Sequence, residues 1–161
     1  MKPREFFPNM PDELFNKWLL PFIEAQGWPF NSISDDLQAS DWKNNLGINH
    51  TLKQWSECEW ELISIPLILT NFKLHTLQTI FDIITFSVKG IPTSTANLER
   101  TQERFWACAS FYREHNTVPW PIVIYEFDEF IRVVDGFHRL AAIFHIGFSP
   151  EFKIPAWVAK L

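Results

Sequence analysis

Apolar and polar positions in the second half of the chain follow patterns that predict both strands and helices. Two short β-rich runs, Ile122 to Tyr125 and Ile131 to Val134, flank an acidic turn at Glu126 to Glu129, which favours a hairpin. A helix is predicted next, because apolar residues recur at i, i+3, i+4 and i+7 before Gly147. These apolar residues are Phe137, Leu140, Ala141 and Phe144.

A long helix is predicted before the hairpin, over Asn97 to His115, and a last strand after it, over Phe152 to Val158. Pro119 and Pro121 separate the long helix from the hairpin. The residues expected on the inner face of the long helix are Leu98, Phe105, Cys108 and Tyr112.

The first half of the chain is more irregular. A helix is predicted from Asn9 to Gln26, kinked or broken at Pro21 and ended by Gly27, with loop-like residues 28–50 after it. From Trp55 to Leu62 glutamates alternate with larger residues, which favours a half-buried strand, with a helix as the second option. Pro66 excludes the apolar run around it from the middle of a central strand.

Another helix is predicted from about Leu74 to Ile84, because Leu74, Leu77, Phe81 and Ile84 follow helical spacing. A turn at Lys89 to Pro92 then marks the best internal boundary. The prediction is therefore an α+β protein in two parts. Residues 1–90 are expected to be a mostly helical, aromatic-rich N-terminal elaboration that packs on the core. Residues 91–161 are expected to form that core, a small mixed sheet with helices.

The composition limits the classes of function. With 161 residues, 47% of them hydrophobic, the chain is long enough to bury a sizeable core. Its net charge of −5 argues against nucleic acid as the main partner, although a local basic patch can still bind phosphate. The two cysteines, Cys58 and Cys108, have no CxxC spacing, and no metal site is predicted. The absence of a signal peptide and of a long apolar stretch predicts a cytoplasmic protein without membrane contact.

One junction carries chemistry, the segment Val133 to Leu140, where a strand enters a helix through an Asp-Gly step. Asp135 is suited to cap the helix, and Gly136 leaves the backbone open. His138 and Arg139 lie in the first turn, where a cation opposes the helix dipole at a cost of ~0.3–1 kcal/mol. A bound phosphate would reverse the sign of that interaction. In the alternative interpretation Asp135 neutralises Arg139, and the segment is only a capped helix.

The string VVDGFHRLAA, preceded by VPWPIVIYE and followed by IPAWVAKL, resembles the C-terminal core of the ParB/sulfiredoxin superfamily over residues 91–161. The resemblance implies that the turn holds nucleotide phosphates, with Gly136, His138 and Arg139 as the cradle. Asp135 matches the aspartate of the free serine kinases of this superfamily, whose turn reads D-G-H-H-R. Phe137 stands where sulfiredoxins carry their catalytic cysteine, so sulfiredoxin chemistry is not expected.

Two arginines outside the turn, Arg100 and Arg104, share one face of the long helix. They are candidate phosphate-binding residues, or an ordinary solvated face that Glu99 and Glu103 neutralise.

The leading hypothesis is a ParB-like protein that binds ATP, CTP or another phosphorylated small molecule. Hydrolysis or phosphoryl transfer with Mg²⁺ would make Asp135 the base or metal ligand and His138 the residue that steadies the phosphoryl group. The alternative is a non-catalytic interaction module on a degenerate ParB-like scaffold, whose N-terminal region binds a protein partner. Nuclease activity is a third hypothesis, which the acidic charge disfavours.

Overall fold

A computed structural model describes residues 2–26, 28, 46, 49–93 and 100–161 and shows a mixed α+β protein. Among these residues four strands form one mixed sheet, in the order β1-β4-β2-β3. The predicted α+β class with a mixed sheet is therefore confirmed. The strands are β1 (Glu59–Pro66), β2 (Ile122–Phe127), β3 (Phe130–Asp135) and β4 (Lys153–Lys160).

The chain divides into two compact units. Met1–Glu61 together with Trp157–Leu161 forms the first unit, and Leu62–Ala156 forms the second. The boundary predicted between residues 90 and 91 stays a prediction. The loop predicted over residues 28–50 lies mostly outside the described residues.

After a short helix at Pro3–Phe6, the first unit contains a helical segment that runs from Asp12 to Gln26, within the predicted helix. A π-helical turn, Phe15–Leu19, ends two residues before Pro21, and the Leu20 N–H bonds to the Phe15 carbonyl. Proline has no N–H, and the change in hydrogen-bond pattern just before Pro21 accommodates this residue. The helix does not break at Pro21 but continues to Gln26, and the predicted kink stays a prediction. The helices of this unit whose bounds the structure describes are α1 (Pro3–Phe6), α2 (Asp12–Leu14), α3 (Leu20–Gln26) and α4 (Leu52–Glu57).

The predicted strand from Trp55 to Leu62 is wrong in its first part, because α4 covers Trp55 to Glu57 and β1 begins only at Glu59. Thr51 accepts a hydrogen bond from the Gln54 N–H, and the Gln54 side chain accepts one from the Thr51 N–H. This capping box starts a helix that overrides the alternation of the following residues. Pro66 is the last residue of β1, at the edge of the sheet, so its exclusion from a central strand is confirmed.

The second unit contains three longer helices that pack against one another, α5 (Leu74–Lys89), α6 (Thr101–His115) and α7 (Phe137–Ile146). Helix α5 extends five residues past the predicted end, because Gly90 supplies the left-handed C-cap with φ 69°. The predicted start of α6, at residues 97–99, lies outside the described residues. Fully buried side chains between these helices include Ile80, Phe105, Ala109, Leu140 and Ile143.

The predicted hairpin is confirmed, as β2 and β3 pair antiparallel from Val123–Asp135 to Phe127–Phe130. Its two turn residues, Asp128 and Glu129, both have positive φ (49° and 66°), which matches the twist of a two-residue hairpin. The pairing is irregular between Val123 and Ile124, next to the point where β3 ends. The hairpin therefore delivers Asp135 to the start of α7.

Candidate functional site

The turn from β3 into α7 requires a glycine. Gly136 has φ 117°, a conformation that side chains rarely adopt. A Cβ atom at this position would lie 2.5 Å from Cγ2 and 2.9 Å from Cβ of Ile122. The end of β3 and the start of β2 therefore approach each other so closely that no other residue fits without rearrangement.

The structure contradicts the capping role predicted for Asp135. Gly136, which has no side chain, occupies the N-cap position of α7. The Asp135 carboxylate instead accepts a hydrogen bond from Nη2 of Arg139 at 2.5 Å. The i, i+4 spacing brings the guanidinium within reach of this carboxylate, and the charged pair is preferred to a backbone donor. The first backbone N–H groups of α7 are consequently left without a side-chain cap.

Arg139 holds the turn together from inside. Its Nη1 donates to the carbonyl oxygens of Trp120 at 3.1 Å and of Pro121 at 2.8 Å. Its side chain is only 13% exposed, whereas that of Asp135 is 42% exposed. The ion pair of the alternative interpretation is therefore present, and Arg139 joins the entrance of β2 to the exit of β3.

His138 lies beside these charges and is held in its neutral form. Burial and then the guanidinium of Arg104 lower the pKa of its imidazole to about 4, while the Asp135 carboxylate opposes the shift. Arg104 is exposed on α6, the helix that packs against α7. Arg104, His138, Asp135 and Arg139 thus form one electrostatic group at the start of α7.

The structure places Arg100 differently from Arg104. Arg100 precedes α6 in a left-handed conformation, with φ 60°, and its Nε lies 3.7 Å from Glu103. Both side chains of this pair are more than half exposed, so the interaction is worth little. Of the two predicted arginines, Arg104 is the one that acts on His138. Glu99 lies outside the described residues.

Cys108 belongs to the same group, and sequence reasoning did not connect it with the turn. Burial raises the pKa of its thiol, Arg139 lowers it and Asp135 raises it. The spacing of four between Arg104 and Cys108 was the available signal, since it places both on one face of a helix. A raised pKa keeps the thiol protonated at neutral pH, which argues against a nucleophile.

Among the described residues, no three His, Cys, Asp or Glu side chains are arranged to hold a metal ion. Magnesium bound with nucleotides needs only one or two carboxylates, because the phosphates and water supply its other ligands. In the described ranges no helix combines the length and apolarity needed to cross a membrane. No family model matches the chain, and neither the curated proteins nor the solved structures include a match to it.

We expect an NMR titration of the free protein to give His138 a pKa of about 4. The unfolded chain takes up this proton near pH 6.5 and the folded chain only near pH 4, so the unfolded state binds more protons in that window. The contribution of His138 to the free energy of unfolding therefore falls as the pH is lowered from 6.5 to 4, by at most about 3 kcal/mol. A pKa at or above 6.5 in the folded protein would contradict the buried position beside Arg104.

Proposed function

We propose that this protein binds a nucleotide, ATP or CTP, or another phosphorylated small molecule, at the turn from Asp135 to Arg139. The observation that carries the proposal is the uncapped N-terminus of α7 with an exposed arginine, Arg104, acting on it from α6. Uncapped backbone N–H groups, the positive end of the helix dipole and a guanidinium all favour an anion.

Each residue of the turn has its own part in this proposal. Gly136 allows the tight turn that leads into the start of α7, because only glycine fits against Ile122 at φ 117°. Neutral His138 donates a hydrogen bond to the phosphate and supplies no charge. Arg104 supplies the charge, since Arg139 already donates to three oxygen atoms of the protein. Arg139 is then a positioning residue that keeps the turn in shape.

If the protein is an enzyme, the half-exposed Asp135 carboxylate acts as the base or as a Mg²⁺ ligand. His138 then steadies the transferred phosphoryl group. Bound Mg²⁺ would neutralise charge on the phosphates. Asp135→Asn keeps an acceptor for Arg139, so it tests the role of the charge without opening the turn. Release of inorganic phosphate from ATP or CTP at the wild-type rate by this variant would sink the catalytic role.

The relationship to the ParB/sulfiredoxin superfamily is part of the same proposal. It is supported by the order of elements, a long helix, a hairpin, a glycine turn, a helix and a final strand, which is the order expected from the motif. The α+β class alone is common to many unrelated functions, so the fold adds little to the case for nucleotide binding.

Isothermal titration of the protein with ATP, CTP, GTP and ADP, each with and without Mg²⁺, tests the proposed function. We expect micromolar binding of at least one nucleotide, and Arg104→Gln should weaken it by about ten- to a hundredfold, the value of a charged hydrogen bond. The folding of the variant should be unchanged, because Arg104 is exposed.

Arg113→Gln is the matched control for this titration, because Arg113 is exposed on the same helix. It removes the same charge and should leave the affinity within about twofold of the wild type. Equal losses in both variants would show a general charge effect, and no binding of any nucleotide would reject the proposal.

A second candidate function is a non-catalytic scaffold for protein interactions, and the Asp135–Arg139 pair favours it. In this ion pair the charges of Arg139 and Asp135 neutralise each other, so the turn needs no bound anion. Phe137 agrees with this candidate, since it puts an apolar residue in the catalytic position of the related family. The nucleotide titration separates the two candidates.

A further inference from the structure

Helix α5 carries a buried stripe and a second stripe that is entirely apolar. One is buried in the second unit and consists of Thr76, Ile80, Ile83 and Ser87. The other lies on an adjacent side of the helix and is partly open to solvent, with Leu74 exposed by 82%, Phe81 by 46% and Val88 by 42%. The Phe81 ring also lies 6.3 Å from the ring of Phe144 on α7. We call this second set the outer stripe, and its members are Leu74, Leu77, Phe81, Ile84 and Val88.

The spacing of the outer stripe is that of a helix-packing seam. Its residues are separated by three, four, three and four positions, the a and d repeat of a coiled coil over two heptads. The seam is roughly 21 Å long at 1.5 Å per residue. Single exposed apolar residues need no explanation, but three exposed and two half-buried apolar residues in register along one helix mark a surface that another helix fits.

The charges beside the outer stripe are basic at both ends. Lys73 precedes Leu74, and its ammonium group lies 5.0 Å from the centre of the Phe130 ring. Arg132, from β3, has Nη1 at 2.9 Å from Nε2 of His75. Within the described part of the chain, no carboxylate pairs with Lys73 or Arg132. Lys89 lies at the opposite end, one residue past Val88.

Like charges at the two ends argue against a second copy of α5 as the occupant. An antiparallel pair of α5 helices would bring Lys73 close to Lys89, and a parallel pair would bring each lysine close to its own copy. The acidic residue of the helix, Asp82, lies at its middle and accepts a hydrogen bond from Gln78. The end charges are therefore complementary to carboxylates that a different helix would supply.

We propose that the outer stripe of α5 docks an amphipathic helix of a partner protein, apolar on one face and acidic at both ends. Leu74, Phe81 and Val88 enter its apolar seam, and Lys73, Arg132 and Lys89 pair with its terminal carboxylates. This surface is distinct from the turn at Asp135, lies within residues 1–90, and does not depend on nucleotide binding.

A synthetic helical peptide with leucine at a and d of three heptads and glutamate at the flanking positions is the probe for this surface. Its fluorescence anisotropy is measured with the full-length protein. Two control peptides have the same residues in shuffled order, or lysine in place of each glutamate. We expect the glutamate peptide to bind at least about tenfold more tightly than either control, and less tightly as salt is added.

Leu74→Glu should weaken this binding by about tenfold or more, because it places a carboxylate at the most exposed position of the stripe. Its high exposure means that the fold tolerates the change. Leu62→Glu is the matched control, since Leu62 is 50% exposed on β1 and should leave binding unchanged. Lys73→Glu should weaken the binding of the glutamate peptide and strengthen the binding of the lysine peptide.

Two results would overturn the proposal. Equal binding of the three peptides would show that neither the spacing nor the charge is recognised. A wild-type protein that sediments as a dimer, and as a monomer after Leu74→Glu, would identify a second copy of this chain as the occupant.

Discussion

Gly136→Ala is expected to destabilise the protein by about 3 kcal/mol, in the range of the most damaging single substitutions. Two costs combine at this position. Alanine is strained at φ 117°, which costs on the order of 1–3 kcal/mol. Its Cβ would also lie 2.5 Å from Cγ2 of Ile122, so β2 or the turn must move.

Urea unfolding of the two proteins measures this loss directly. Gly90→Ala is the matched control, because Gly90 also has positive φ, 69°, but no atom lies within 4 Å of the position of the new Cβ. It should cost only about 1 kcal/mol. Equal losses in the two variants would mean that the contact with Ile122 contributes nothing.

Arg139→Met is expected to destabilise the protein by about 2–3 kcal/mol, although methionine fills much of the same space. The substitution removes the hydrogen bonds that Arg139 donates to the carbonyl oxygens of Trp120 and Pro121 and to the Asp135 carboxylate. Unpaired polar groups in a partly buried position cost more than the hydrogen bonds contribute.

Arg113→Met is the control for this measurement, since Arg113 is exposed and should change the free energy of unfolding by less than about 0.5 kcal/mol. The comparison also separates two roles of Arg139. A variant as stable as the control that nevertheless loses nucleotide binding would make Arg139 a ligand of the phosphate, against the positioning role argued from its three acceptors.

Local patterns in the sequence were sufficient for the second unit. The β-rich runs around Glu126 to Glu129 predicted the hairpin, and the i, i+3, i+4, i+7 spacing after Gly136 predicted α7. These patterns predict the structure well because the residues that favour a strand or a helix locally are also the residues that the strand or helix buries. The turn at Gly136 follows from the hairpin and the helix on either side of it.

Two errors come from competition between neighbouring signals. The alternation after Trp55 predicted a strand, but the capping box of Thr51 and Gln54 starts a helix three residues earlier. Asp135 was predicted to cap α7, but Arg139 lies four residues on and takes its carboxylate. In both cases the sequence contains the residues that decide the outcome. It does not show which of the two competing interactions is the stronger.

The rest depends on packing between helices, which no local pattern contains. The spacing of Leu74, Leu77, Phe81 and Ile84 predicted a helix correctly, yet the side that α5 buries is the one with Ile80 and Ile83. The approach of Arg104 and Cys108 to His138 likewise follows from the contact of α6 with α7. A single sequence does not specify which helices meet, so these contacts were not predicted.

The central claim is that the start of α7 binds phosphate, and backbone amide chemical shifts during a titration with Mg-ATP or Mg-CTP test it most directly. We expect the largest shifts at the N–H groups of Phe137, His138 and Arg139, and we expect Arg104→Gln to diminish them. Binding that leaves these three amides unchanged, or no shifts at millimolar nucleotide, would contradict the claim.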